Sequence, residues 1–196
     1  MSYSDYSFDS RLAFASTIPA DWYFDQGFLA EEKKKVFART WQLVGRTEQV
    51  ATPGSYFTTT IADEPVVVVR DKDNELHAFS NVCRHRAGAV AKGEGKRSGF
   101  QCSYHGWTYS LNGKLQYCPE FEGVECFDKE GFSLPEFKVE TWGPLVFVNL
   151  DPNSESLFTI LEDLPDRVNY HNMADLGLAA RKDWYIDCNW KVYVDN

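Results

Sequence analysis

The sequence predicts a mainly β protein: an antiparallel β domain with one helix before it and the opening of an α+β segment behind it. Three patterns point there. Short apolar runs punctuated by turn residues fill the middle of the chain, one early stretch has helical spacing, and the last stretch alternates apolar with polar residues.

The opening residues, MSYSDYSFDSRL, are polar and offer neither a basic start nor an apolar stretch, so no secretory signal is expected and a cytoplasmic location is. Asp25–Thr40 (DQGFLAEEKKKVFART) reads as a helix, since Phe28 and Leu29 recur two turns on as Val36 and Phe37. Residues 1–40 are therefore set apart as an N-terminal segment with its helix. From Trp41 onward, strands are expected at Ser55–Ile61, Val66–Arg70, Leu76–Ser80, Gly99–Cys102, Trp107–Ser110, Lys114–Tyr117, Leu134–Trp142 and Leu145–Leu150. Asn112-Gly113 reads as a two-residue type I′ turn with φ > 0 at both positions, and Asp73-Asn74 as a looser hairpin. Asp151-Pro152-Asn153-Ser154 is the exit, which puts the β domain at 41–152.

Residues 153–196 begin with a helical tendency at Ser156–Tyr170, interrupted at Pro165. They close on an expected strand whose one face holds Trp184, Ile186, Cys188, Trp190, Val192 and Val194. Such a face needs a covering layer, and the residues that remain do not supply it. Residues 153–196 are therefore expected to be a linker and the truncated start of a further domain.

Composition narrows the function classes. With 43% hydrophobic and 15% aromatic residues, a chain of 196 residues can pack a core. No apolar run approaches the roughly 20 residues that span a bilayer, so no membrane partner is expected. A formal net charge of -9 argues against nucleic acid, whose phosphates call for a basic surface. Five cysteines in a chain expected to be intracellular point to metal rather than to disulfides.

The chemistry lies between Cys83 and His105. Cys83-Arg84-His85 and Cys102-Ser103-Tyr104-His105 each offer one thiolate and one imidazole, separated by residues 86–101 and flanked by expected strands. A two-iron cluster uses this set well, with both thiolates on one iron and both histidines on the other. A Cys₂His₂ zinc site is the competing reading of the same residues. It fits poorly, because paired zinc ligands have two or more residues between them and Cys83 and His85 have one. Cys118, Cys126 and Cys188 are expected to be buried free thiols, His77 an ordinary strand side chain and His171 a loop or helix-surface residue. Gly88–Gly93 has phosphate-loop spacing but Glu94 stands where lysine is required, and it is discarded.

The text around these ligands, CRHRAGAV at 83–90 and FQCSYHGWTYSLNGKL at 100–115, resembles the Rieske non-haem iron oxygenases of the ring-hydroxylating type. WQLVG at 41–45 and GPLVFVNLDP at 143–152 support the resemblance. CNWKVYVDN at 188–196 is similar to the start of the catalytic domain in the group with choline, carnitine and glycine-betaine monooxygenases. The resemblance implies a Rieske-type β domain whose [2Fe-2S] cluster is held by Cys83, His85, Cys102 and His105, with Arg84, Arg86, Tyr104 and Trp107 around it, Tyr104 and Trp107 shielding it from water.

It further implies an oxidoreductase α subunit, a mono- or dioxygenase, that takes electrons from a reductase or ferredoxin. The full-length parent would insert oxygen from O2 into an organic substrate, aromatic or quaternary ammonium, at a mononuclear Fe(II) site, and would assemble as a homotrimer. The triad for that iron is expected beyond Asn196, so no catalytic residue is expected in this chain, nor hydroxylation by it alone. The alternative, a stand-alone Rieske ferredoxin, needs neither the segment before Trp41 nor the alternating stretch from Trp184.

High-potential Rieske proteins of respiratory complexes carry an extra cysteine in each loop and hydroxyl donors to the sulfurs. Gly88, Tyr104 and Trp107 stand in those places here. The potential implied lies toward the low end of the roughly -150 to +300 mV Rieske range. Arg84, Arg86, Lys92, Lys96 and Arg97 against the single acid Glu94 make this region a basic patch in an acidic protein, suited to an acidic electron donor.

Overall fold

The structure is a computed structural model that describes residues 6–195. Two compact units are formed: Phe37–Leu176 is one, and the described residues before it together with those from Gly177 on are the other.

Within Phe37–Leu176 the strands are β1 (Gln42–Arg46), β2 (Ser55–Ile61), β3 (Glu64–Arg70), β4 (Leu76–Ser80), β5 (Glu94–Lys96), β6 (Phe100–Gln101), β7 (Thr108–Tyr109), β8 (Leu115–Tyr117), β9 (Glu136–Trp142) and β10 (Leu145–Asn149). Their pairing is antiparallel throughout, as a seven-stranded sheet ordered β1-β10-β9-β4-β3-β2-β5 and a three-stranded sheet ordered β6-β7-β8. The mainly β expectation holds. Sequence reading left out β1 and the fully exposed β5, whose EGK has no apolar face to betray it.

The valine run of β3 explains how the unit is layered. Side chains alternate across a strand, so Val67 and Val69 enter one core and Val66 and Val68 the other, all four wholly buried. Each is worth ~1.5–2 kcal/mol by burial of its apolar surface. The first core draws on both sheets, with Tyr56, Phe79, Phe100, Tyr109 and Leu115, and it contains Cys83 and Cys102. The loops that carry the expected ligands are thus rooted in a packed interior.

The turns depart from expectation in detail. Asn112-Gly113 is not a two-residue type I′ turn: of the pair only Gly113 has positive φ (78°), Gly113 N–H donates to Ser110 O, and Ser110 N–H donates to Lys114 O. The loop has three residues, with glycine in the left-handed position that follows a type I turn. Asp73-Asn74 builds the same loop, with Asn74 at φ 68° and Asp71 N–H donating to Glu75 O. The two-residue turn with both φ positive lies instead between β2 and β3, at Ala62 (49°) and Asp63 (72°).

After β10 come α2 (Leu157–Leu161) and α3 (Leu164–Val168). Pro165 does not interrupt them. It sits in the first turn of α3, where its missing N–H costs nothing, and the break is at Glu162, φ 48°.

In the smaller unit, α1 (Gln26–Glu32) begins at Asp25, whose carboxylate accepts from Phe28 N–H at 2.8 Å, and continues as a π-helical turn to Phe37. The expected closing strand is absent. Trp190–Asp195 is a helix, α4, and the residues before it form no strand; Trp184 is 71% exposed and Tyr185 98%. The reason is tertiary. Lys191 and Asp195, one turn apart, reach Glu32 Oε1 (2.7 Å) and Tyr23 Oη (2.6 Å), while Trp190 Nε1 donates to Glu32 Oε2 (3.1 Å). A strand would put Lys191 and Asp195 too far apart to make these bonds, and among the described residues of this unit there is no strand to pair with. Among the described residues no helix is long and apolar enough to cross a membrane.

Candidate metal centre

Two loops of one design carry the four expected ligands. In the first, Cys83 N–H donates to Gly88 O (2.8 Å) and Ala87 N–H to Cys83 O (3.0 Å). In the second, Cys102 N–H donates to Trp107 O (2.8 Å) and Gly106 N–H to Cys102 O (2.9 Å). Each loop therefore turns back on its cysteine over the same span, and the residue four after each cysteine has positive φ: Ala87 at 55° and Gly106 at 75°. The local sequence permits this where it has glycine and imposes it on Ala87.

The loops meet. His85 and His105 have ring centroids 4.6 Å apart, and both cysteines are buried in the first core. Gly88 packs against Cys102 so closely that a Cβ there would stand 2.9 Å from Sγ, which ties the first loop to the sulfur of the second. His85 Nδ1 is buried without any hydrogen-bond partner, the condition of a nitrogen kept for a metal. Burial first, then the nearby His105 and Arg86, hold the His85 imidazole below its ordinary value, favouring the neutral form that can ligate. Among the described residues no three of His, Cys, Asp or Glu converge on a point that could hold one metal ion. A tetrahedral zinc site requires that convergence; a two-iron cluster asks only for two ligands per iron, and this donor set fits it.

Trp107 and Tyr104 differ from each other. Trp107 is 2% exposed, stacks parallel to His85 (5.0 Å, 7°), and is ringed by Phe121, Phe127 and Phe132 at 5.4–5.9 Å. Tyr104 is 62% exposed and lies on the His105 ring at 3.8 Å, so it covers that histidine's face without closing the site to water. Arg84 and Arg86 are exposed, as are Lys92, Lys96 and Arg97. Beside the first loop lies an open groove of about 700 Å³, lined by Cys83, Arg84, His85, Pro135 and Phe137 among others.

Tyr109 was missed by sequence reasoning. Its hydroxyl lies 3.3 Å from Cys83 Sγ and accepts from Arg84 N–H at 3.0 Å. A Cys83 thiolate has no proton to give, so toward it the Tyr109 O–H is the donor. Burial first, then the Cys83 contact, push the Tyr109 phenol well above its ordinary value, so it keeps its proton. One hydroxyl donor to sulfur is therefore present where Gly88, Tyr104 and Trp107 alone suggest none. His77, expected to be an ordinary strand side chain, is held between Glu136 (2.8 Å) and Asp71 (3.4 Å). All three remaining cysteines are free thiols, but only Cys118, in the first core, is buried as expected; Cys126 and Cys188 are exposed, because both lie in irregular segments outside the sheets and helices.

The family model described as Rieske [2Fe-2S] domain matches residues 40–128. The chain is 35% identical over 193 residues to the chloroplastic choline monooxygenase of Arabidopsis thaliana, covering 93% of this chain and 46% of that protein. It is 38% identical over 185 residues to the carnitine monooxygenase oxygenase subunit of Escherichia coli (strain K12), covering 93% and 50%. The chain thus spans about half the length of these relatives. Among solved structures, the quaternary ammonium Rieske monooxygenase CntA in complex with L-carnitine superimposes with a TM-score of 0.87 at 37% identity, over 92% of this chain and 52% of that one. A naphthalene 1,2-dioxygenase bound to phenanthrene gives 0.71 at 31%, over 74% and 34%.

Proposed function

Residues 40–128 are a Rieske [2Fe-2S] domain, and from that premise we propose that Cys83, His85, Cys102 and His105 hold the cluster and that this chain is the electron-transfer part of a Rieske oxygenase. When bound, the cluster takes up and releases one electron at a time. The observation that carries the reading is the pairing of two loops of like backbone design, each presenting one cysteine and one histidine, with His85 and His105 4.6 Å apart.

The chain's own residues set the conditions. Tyr109 donates to Cys83 Sγ, so added negative charge on that sulfur is stabilised. Trp107 with Phe121, Phe127 and Phe132 keeps water from one side of His85. Arg84 and Arg86 place positive charge at the exposed end, where an acidic reductase or ferredoxin would dock.

Relatives match across 93% of the chain, well beyond the Rieske domain itself, and this favours an oxygenase over a free-standing carrier. We assign residues 1–40 to an N-terminal segment, 41–152 to the Rieske domain and 153–196 to the approach to a catalytic domain. In the whole protein a mononuclear Fe(II) site would insert oxygen from O2 into a quaternary ammonium compound rather than an aromatic one, since the choline and carnitine enzymes match at 35% and 38% identity and the naphthalene dioxygenase at 31%. That protein would be cytoplasmic and trimeric, and the present chain by itself inactive in hydroxylation.

The test is analytical. Reconstituted protein should contain iron and acid-labile sulfide in equal amounts, about two of each per chain. Zinc taken up without sulfide would overturn the assignment.

A further inference from the structure

The two metal loops share a design at their tips but not at their base. Below Cys102, β6 and β7 pair at Phe100↔Tyr109 and Gln101↔Thr108, whereas below Cys83 the arms are joined by an isolated bridge, Val82↔Ala89. The side chain of Asn81 stands where the missing ladder would be. Its Oδ1 accepts from the amides of Ala91 (2.8 Å) and Val90 (3.2 Å), and its Nδ2 donates to Ala91 O (3.0 Å). Its backbone N–H donates to Pro65 O at 2.8 Å, which fixes the same point to β3. Asn81 is buried, and three of the four hydrogen bonds open to its carboxamide are made. Such a group has one orientation, and removing it takes the partner from the Ala91 amide and carbonyl, while the Val90 amide keeps its bond to the Asn81 backbone carbonyl (3.3 Å).

Resting on the cluster reading above, we infer that Asn81 is a positioning residue for the metal centre: it closes the base of the loop that carries Cys83 and His85 and so sets that pair's distance from Cys102 and His105. No other side chain described here bonds both arms of the loop at its base. Asparagine suits the task because it offers an acceptor to the two amides and a donor to the carbonyl at once. Serine can serve only part of this and alanine none.

The experiment compares the reconstituted 196-residue chain with Asn81→Ala, Asn81→Ser and Val148→Ala. Val148 is wholly buried in the second core and touches neither loop, so its truncation reports loss of stability alone. Asn81→Ala is expected to lose iron to a chelator at least tenfold faster than the parent. Its reduction equilibrium is expected to shift at least threefold, which is about 28 mV at 59 mV per tenfold for one electron. Asn81→Ser should fall between, and Val148→Ala should keep both values of the parent.

If Asn81→Ala behaves as Val148→Ala does once matched for thermal stability, the inference is overturned. If Asn81→Ala does not fold, the unaltered chain decides by hydrogen exchange at the Ala91 amide, which bonds the Asn81 side chain: slow exchange there supports the clamp, and exchange at the free-peptide rate overturns it. Failure of the parent to bind iron and sulfide would instead overturn the cluster reading, an outcome distinct from a loaded parent beside an unaffected Asn81→Ala.

Discussion

Tyr109 and Gly88 act on the two proposed sulfur ligands by different means. Tyr109 gives Cys83 Sγ a hydrogen bond, and a donor to sulfur favours the reduced, more negative cluster. Tyr109→Phe keeps the ring in the core and deletes only the hydroxyl. A hydrogen bond worth about 1 kcal/mol more to one redox state than to the other corresponds to a shift on the order of 40 mV for one electron. The midpoint potential of Tyr109→Phe should therefore fall by that much in a redox titration; an unchanged value would mean that the hydroxyl serves only Arg84 N–H. Gly88 contributes by having no side chain. The Cβ of Gly88→Ala would lie 2.9 Å from Cys102 Sγ, so the sulfur or the loop must move. Overpacking of this kind costs about 1–3 kcal/mol, and the variant should retain iron roughly tenfold or more weakly in a chelator competition.

The loops and turns are the elements on which stability can be adjusted without touching a ligand. Ala87 holds φ 55° where the matching residue of the second loop is Gly106. Ala87→Gly removes the Cβ clash of the left-handed region at some cost in chain entropy, a net gain of about 0.5–1 kcal/mol. In a chain of this size that raises Tm by roughly 1–4 °C by calorimetry. The turn after β3 has a pH dependence of its own. Burial pushes the Asp71 carboxyl up, but the amides of Glu75 and Asp73 and the His77 ring lower it by more, and the result is below the usual carboxylate value. A carboxylate depressed by folding stabilises the native state fully above its unfolded pKa of about 3.9 and loses that contribution as pH falls through the folded value. Asp71→Asn should therefore lose less stability than the parent between about pH 5 and pH 3 in urea unfolding at a series of pH values. Most of the fold at this scale was legible: the strands from Ser55 to Leu150 follow alternation and turn residues, and the paired C-x-H and C-x-x-H were readable as loops between strands. What could not be read depended on partners far away in sequence. Trp190–Asp195 alternates like a strand and becomes a helix because Glu32 and Tyr23 bond its polar residues, and Tyr109 gains its role only when folding brings it to Cys83.

Across the whole molecule the sign of charge is unevenly distributed, and this bears on where electrons enter. The chain carries -9 overall, yet Arg84, Arg86, Lys92, Lys96 and Arg97 are all exposed, and Glu94, the one acid among them, accepts a hydrogen bond from Gln49. On the proposed reading, an acidic donor would be repelled by most of the surface and drawn to this basic stretch, so charge would select the orientation before contact. Screening gives the measurable sign. The Debye length shrinks from about 30 Å at 0.01 M salt to about 10 Å at 0.1 M, so the second-order rate of reduction by an acidic ferredoxin-type donor should fall severalfold over that range in stopped-flow experiments. Replacing Arg86 and Lys92 together by glutamate should slow reduction at low salt and flatten or invert the salt dependence. Reduction of the same variant by a small uncharged reductant should be unchanged, because that reaction needs access to the ligands and no orientation by charge. Equal slowing with both reductants would place the effect in the metal loop itself and remove the basic face from electron entry.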